Sequence, residues 1–114
     1  MIAWPALIKY EGESELTFVP SATEWGSDAD LYLAAYVEGD LLIDTTGAVY
    51  RLDLKNDNRC VPQFTGRYVD KAAVTEMVKA HLSCMGQCCV AKFSIDSITD
   101  GLTAVGGMDE RYPV

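Results

Sequence analysis

Apolar residues alternate through much of the first half of this chain and then recur about every 3.6 positions after Asp70. A period of two is that of a strand with one buried face, and 3.6 is that of a helix laid on a core. Strands followed by segregated helices predict an α+β layer fold. "AWPALIKY" and "ELTFVPS" flank the acidic "EGESE" (Glu11, Glu13, Glu15), which reads as a β-hairpin with a solvated tip. Pro5 falls near the start of the first strand and Pro20 near the end of the second, where a missing N–H is tolerated. Ser21 and Glu24 have capping-box spacing, and Gly26 can close the turn, so a short helical turn is expected near 22–25. "DLYLAAYVEGDLLIDTTGAVYRLDL" predicts three more strands, about 31–37, 40–45 and 48–54, joined by turns at Glu38-Gly39 and Thr46-Gly47. "KNDNRCVPQFTGR" reads as a polar loop.

Asp70 can cap a helix running to about Met85, with Val69 and Val74 at the spacing of a hydrophobic staple. Val74, Met77, Val78, His81, Leu82 and Met85 fall on one stripe, and Gly86 is the natural stop. "CCVAKFSI" is expected as a sixth strand over 88–94. Asp96 or Ser97 then caps a weaker helix, loosened by Gly101 and ended by Gly106-Gly107. The expected order is βββββαβα. It describes one domain over residues 1–114, a mainly antiparallel sheet of about six strands with a β-meander in its first half, and two helices on one face.

The segment 31–37 is apolar on both alternating faces. A strand with water on one side normally shows a polar face. The segment is therefore either central or presents Tyr32 and Tyr36 to a partner as an interaction surface, with self-association into a symmetric dimer as one form of it.

The net charge of −8 comes from nine Lys and Arg against seventeen Asp and Glu. The cations are scattered singly, whereas a nucleic-acid binder needs them clustered, and an anionic membrane surface would repel this chain. No apolar run reaches the ~18–20 residues of a membrane span. "MIAWPALIKY" lacks the basic region and cleavage site of a secretion signal, so a cytoplasmic address is the expectation.

Chemistry, if present, would be sought in "HLSCMGQCCV", which holds His81, Cys84, Cys88 and Cys89. His81 and Cys84 make one chelating pair, but a structural zinc site usually draws on two. Adjacent Cys88 and Cys89 on a strand would point to opposite faces, and Cys60 stands alone. Free cysteine packs as a small hydrophobe, and a lone histidine on an apolar stripe is a core residue before it is a catalyst. Asp28 and Asp30 in "SDAD" resemble half a metal motif, yet a turn needs no metal. No metal, cofactor, disulfide or catalytic set is therefore expected. The alternative is a thiol- or metal-dependent enzyme or sensor built on His81, Cys84 and Cys88.

"WPALIKYEGESEL", Trp25, "LLIDTTGAVYRL" and "HLSCMGQCCVAKFSI" together resemble a small proteobacterial domain-of-unknown-function family, in the same order along nearly the whole chain. The resemblance implies a compact α+β fold with a β-meander, and it implies no activity, cofactor or catalytic residue. The last helix, interrupted by Gly101, is where this chain would depart from it. The functional expectation is a non-enzymatic cytoplasmic accessory or interaction protein with a protein partner.

Overall fold

The structure, a computed structural model, describes residues 1–87 and 90–111. Its strands are β1 (Ala6–Lys9), β2 (Leu16–Val19), β3 (Leu41–Asp44), β4 (Ala48–Arg51), the two-residue β5 (Lys55–Asn56) and β6 (Arg59–Cys60), and β7 (Gln63–Tyr68). The helices are α1 (Ala22–Ser27), α2 (Ala29–Tyr32), α3 (Lys71–Cys84) and α4 (Ile98–Arg111). Five strands form an antiparallel sheet in the order β2-β1-β3-β4-β7, while β5 and β6 pair as a separate ribbon.

The cross-strand register sorts the side chains into two cores. Leu7, Ile43 and Val49 stand in one row. On that face Leu7 and Leu16 meet Val74, Val78 and Leu82 of α3 and Leu102 and Val105 of α4. Ile8, Leu42, Tyr50 and Phe64 form a row on the opposite face. There Ile8, Leu42, Tyr50 and Leu52 pack with Trp25 of α1, Leu31 of α2 and Cys60 of β6. Each such aliphatic side chain contributes about 1.5–3 kcal/mol when fully buried. The expected class holds: an α+β fold, mainly antiparallel, with two helices on one face.

Local signals act as read at several points. The Ser21 hydroxyl accepts from the Glu24 N–H at 3.1 Å, and Asp70 accepts from the Ala73 N–H at 2.8 Å. Ser97, one of the two expected caps, accepts from the Asp100 N–H at 3.1 Å. β1 begins after Pro5 and β2 ends before Pro20.

The expected strand at 31–37 is corrected. Asp28 caps α2, its carboxylate accepting from the Asp30 N–H at 2.9 Å, and residues 33–40 are irregular. The doubly apolar run arises because Leu31, Tyr32 and Tyr36 fold over the second core, which needs no strand alternation. The loop expected at 55–67 is corrected too. Asp57 and Asn58 have φ of +54° and +67°, the backbone of a tight hairpin turn that lets β5 and β6 pair. β7 follows as the longest strand and closes one edge of the sheet.

The sixth strand expected at 88–94 is replaced, where residues are described, by a 3-10 turn over Val90–Lys92. Cys88 and Cys89 lie outside the described residues. The last helix is not interrupted at Gly101, nor ended at Gly106-Gly107. A Cβ on Gly101 would come within 2.9 Å of both Ile95 and Val74, and one on Gly106 within 2.6 Å of the Phe18 ring. These glycines let α4 lie close against its neighbours, a gain that offsets their poor helix propensity of about 1 kcal/mol each.

Candidate functional site

Of the cysteine–histidine stretch, the structure describes His81 and Cys84. His81 is 4% exposed, and its Nδ1 accepts the Leu16 N–H at 2.9 Å, which ties α3 to the edge strand β2. That bond leaves the ring proton on Nε2 and makes the imidazole a structural acceptor. Cys84 is exposed, contrary to its expected burial, and so is Met85, because the buried stripe of α3 ends at Leu82 and the chain turns away through Gly86. Cys60 is buried, its thiol donating to the Leu52 carbonyl at 3.1 Å, and burial pushes that thiol up to about 11. No group of three His, Cys, Asp or Glu that could hold a metal ion occurs among the described residues.

These environments predict different thiol chemistry. Iodoacetamide should modify Cys84 in the native protein while Cys60 stays unmodified until denaturant is added, a difference of at least about 100-fold in rate read by peptide mass spectrometry. Equal native rates at the two positions would contradict the burial of Cys60.

Tyr32 and Tyr36 are half-buried at the rim of the second core. Tyr36 stacks on Trp25 with ring centroids 6.2 Å apart, and its hydroxyl donates to the Leu31 carbonyl at 2.9 Å. Burial, with Tyr10, Cys60, Asp40 and Asp28 nearby, raises the Tyr36 phenol well above its ordinary value. The Arg59 guanidinium lies 3.9 Å above the Tyr32 ring and donates to the Gly26 carbonyl.

A different set of residues converges at the β3–β4 turn. Asp44 ends β3 and is 1% exposed. One carboxylate oxygen accepts the Thr46 N–H at 2.9 Å, the Thr46 hydroxyl at 2.6 Å and the Ala48 N–H at 3.1 Å. The other accepts the Ala3 N–H at 3.0 Å and lies 3.4 Å from the Tyr50 hydroxyl. Burial alone would raise this carboxyl, but the donors from Ala3, Thr46 and Ala48 outweigh it and hold the group below its ordinary value of 3.8. Burial, with the Asp44 charge beside it, raises the Tyr50 phenol.

Over this buried anion lie three rings. Tyr50 and Phe64 have centroids 5.5 Å apart, and Phe64 and Tyr68 are also 5.5 Å apart, edge to face. A cleft of about 290 Å³ opens among Asp44, Thr46, Tyr50, Phe64, Tyr68 and Met1. A larger cleft of about 340 Å³ between β2, α1 and α4 carries Glu24 and Asp28, but Asp28 is already engaged as the cap of α2. Sequence reasoning placed Asp44 within the expected strand 40–45 and Phe64 in the expected loop, and it assigned Tyr68 to no element. The Asp44-Thr-Thr-Gly47 spacing, which suits an aspartate bonding two residues on, is the signal that could have found the first.

A family model described as a protein structure with unknown function matches residues 4–105, in line with the resemblance read from the sequence. Comparison with curated proteins found no match. An NMR structure of a protein from Shewanella amazonensis is similar in fold, with a TM-score of 0.68 and 22% identity over 95% of this chain and 90% of that one.

Proposed function

The chain belongs to the DUF4144 family, and we propose that it is a non-enzymatic, cytoplasmic accessory or interaction protein that meets a protein partner through the Tyr50–Phe64–Tyr68 surface. The observation that carries this reading is a pair of rings left in water on an edge strand, Phe64 at 49% and Tyr68 at 64% exposure. Aromatic side chains each bury about 150–250 Å² when covered, and they are enriched at interfaces. The rings, rather than the strand's backbone, make the contact. β7 carries a bulge at Gly66, φ +82°, and an arginine at 67, devices that keep an edge from pairing with another strand. Leu33 and Val37, exposed beside Tyr32 and Tyr36, offer a second apolar surface for the same role.

The test is assembly size. In native extract the chain should elute well above its 12.5 kDa mass, and the Phe64→Ser/Tyr68→Ser double variant, folded by circular dichroism, should elute as a monomer. Light scattering on the purified protein separates a second copy from a different partner. Monomer elution of both proteins in extract would end the reading.

A further inference from the structure

Resting on that interaction reading, we infer that the Tyr50–Phe64–Tyr68 cleft receives a cationic side chain, an arginine, from a basic segment of the partner. Three observations meet here. The cleft is lined by three aromatic rings, a class of side chain whose negative quadrupole attracts a guanidinium, and these are walls that a hydrophobic side chain could also use. Its lining contains one carboxylate, Asp44, and no Lys, Arg or His, while the one lining residue that bears a cationic group, Met1 with its terminal ammonium, is fully exposed, where water and salt screen that charge. Asp44 is held ionised by its N–H and hydroxyl donors. With both carboxylate oxygens already hydrogen-bonded, Asp44 acts through its field rather than by direct contact.

The whole molecule reinforces the same sign. A net charge of −8 draws cations at distances beyond the roughly 8 Å Debye length only weakly, but it raises their local concentration near the surface. An acidic segment would meet an anion beneath the rings and a repulsive field around them. A second copy would bring −8 to −8. The chain already uses the same chemistry internally, where the Arg59 guanidinium lies over the Tyr32 ring at 3.9 Å. Arginine is favoured over lysine because its weakly hydrated plane stacks on rings and loses less solvation in doing so.

The experiment follows aromatic ring signals of the intact protein by NMR during titration with three blocked tripeptides, acetyl-Gly-Xaa-Gly-amide, where Xaa is arginine, citrulline or aspartate. Citrulline keeps the shape of arginine without the charge. The arginine peptide should shift Tyr50, Phe64 and Tyr68 saturably and bind at least about fivefold more tightly than the citrulline peptide, the lower end of a cation–π contribution near 1–2 kcal/mol. The aspartate peptide should leave the rings unmoved. A Phe64→Leu/Tyr68→Leu variant keeps apolar area while losing two ring faces, and should lose the arginine preference. Equal binding of arginine and citrulline peptides, a preference for aspartate, or unmoved rings at millimolar arginine peptide would overturn the inference. If it falls while the serine double variant still collapses the native assembly to a monomer, the interaction reading stands and only the chemistry of the partner changes. If both fail, the surface is not a docking site.

Discussion

Asp44→Ala is expected to destabilise the protein by about 3–5 kcal/mol. The carboxylate is the acceptor for the N–H groups of Ala3, Thr46 and Ala48, which join the N-terminal segment to the β3–β4 turn. Removing it leaves those donors without their acceptor near the core, and each costs roughly 1–3 kcal/mol when water cannot replace it. Such a loss is a large fraction of the 5–15 kcal/mol that typically holds a domain together. Asp44→Asn keeps an acceptor toward the turn but sets an amide donor against the Ala3 N–H or the Thr46 donors, so a smaller loss of about 2 kcal/mol is expected.

The pH dependence has a definite sign. The Asp44 carboxyl lies below its ordinary 3.8 in the folded protein. Its stabilisation is therefore fully present above about pH 4 and is lost as the pH falls through the folded-state value. Urea midpoints of wild type and Asp44→Asn should differ at pH 7 and converge in strong acid. A gap that stays constant down to pH 2 would contradict the ionised, hydrogen-bonded carboxylate.

That residue marks a boundary in what the sequence makes legible. Hydrophobic period and capping residues carry the layer order: the β1–β2 hairpin, the β3–β4 turn and α3 all stand where alternation, Gly47 and Asp70 place them. Those signals are local. The row of Leu7, Ile43 and Val49 depends on β1 pairing with β3 across thirty-odd intervening residues, which no local spacing encodes. The 31–37 segment misleads because its apolar residues answer to Trp25 and Arg59, partners visible only in three dimensions. β7 escapes notice because an edge strand with a bulge at Gly66 breaks its own alternation. Its exposed Phe64 then looks like a loop residue and Tyr68 falls in no expected element, so the irregularity that breaks the alternation also hid the candidate site. Gly101 and Gly106 misled in the opposite direction: propensity argues against a helix there, and close packing against Val74, Ile95 and Phe18 overrules it.

Gly47→Ala should cost about 3 kcal/mol or more, whereas Gly12→Ala should cost only about 1 kcal/mol, although both glycines have positive φ. Gly12 has φ +76° at the β1–β2 tip, with nothing within 4 Å of an added Cβ, so only the backbone penalty applies. Gly47 has φ +84°, and its Cβ would run into the Val69 carbonyl oxygen and approach the Ile98 side chain at 3.1 Å. The obstacle at Val69 is backbone, and it cannot rotate aside as a side chain could. The same junction carries the Val69 N–H to Gly47 carbonyl bond at 2.8 Å, which fixes the end of β7 against the turn. Relieving the clash must pull Val69 and its neighbour Tyr68 away from Asp44 and Thr46. Equilibrium denaturation would measure the stability difference between the two variants, and the Tyr68 ring signal in Gly47→Ala should move even where the protein remains folded. Equal losses for the two variants would mean that φ alone governs both positions and that the turn does not hold the aromatic cleft in place.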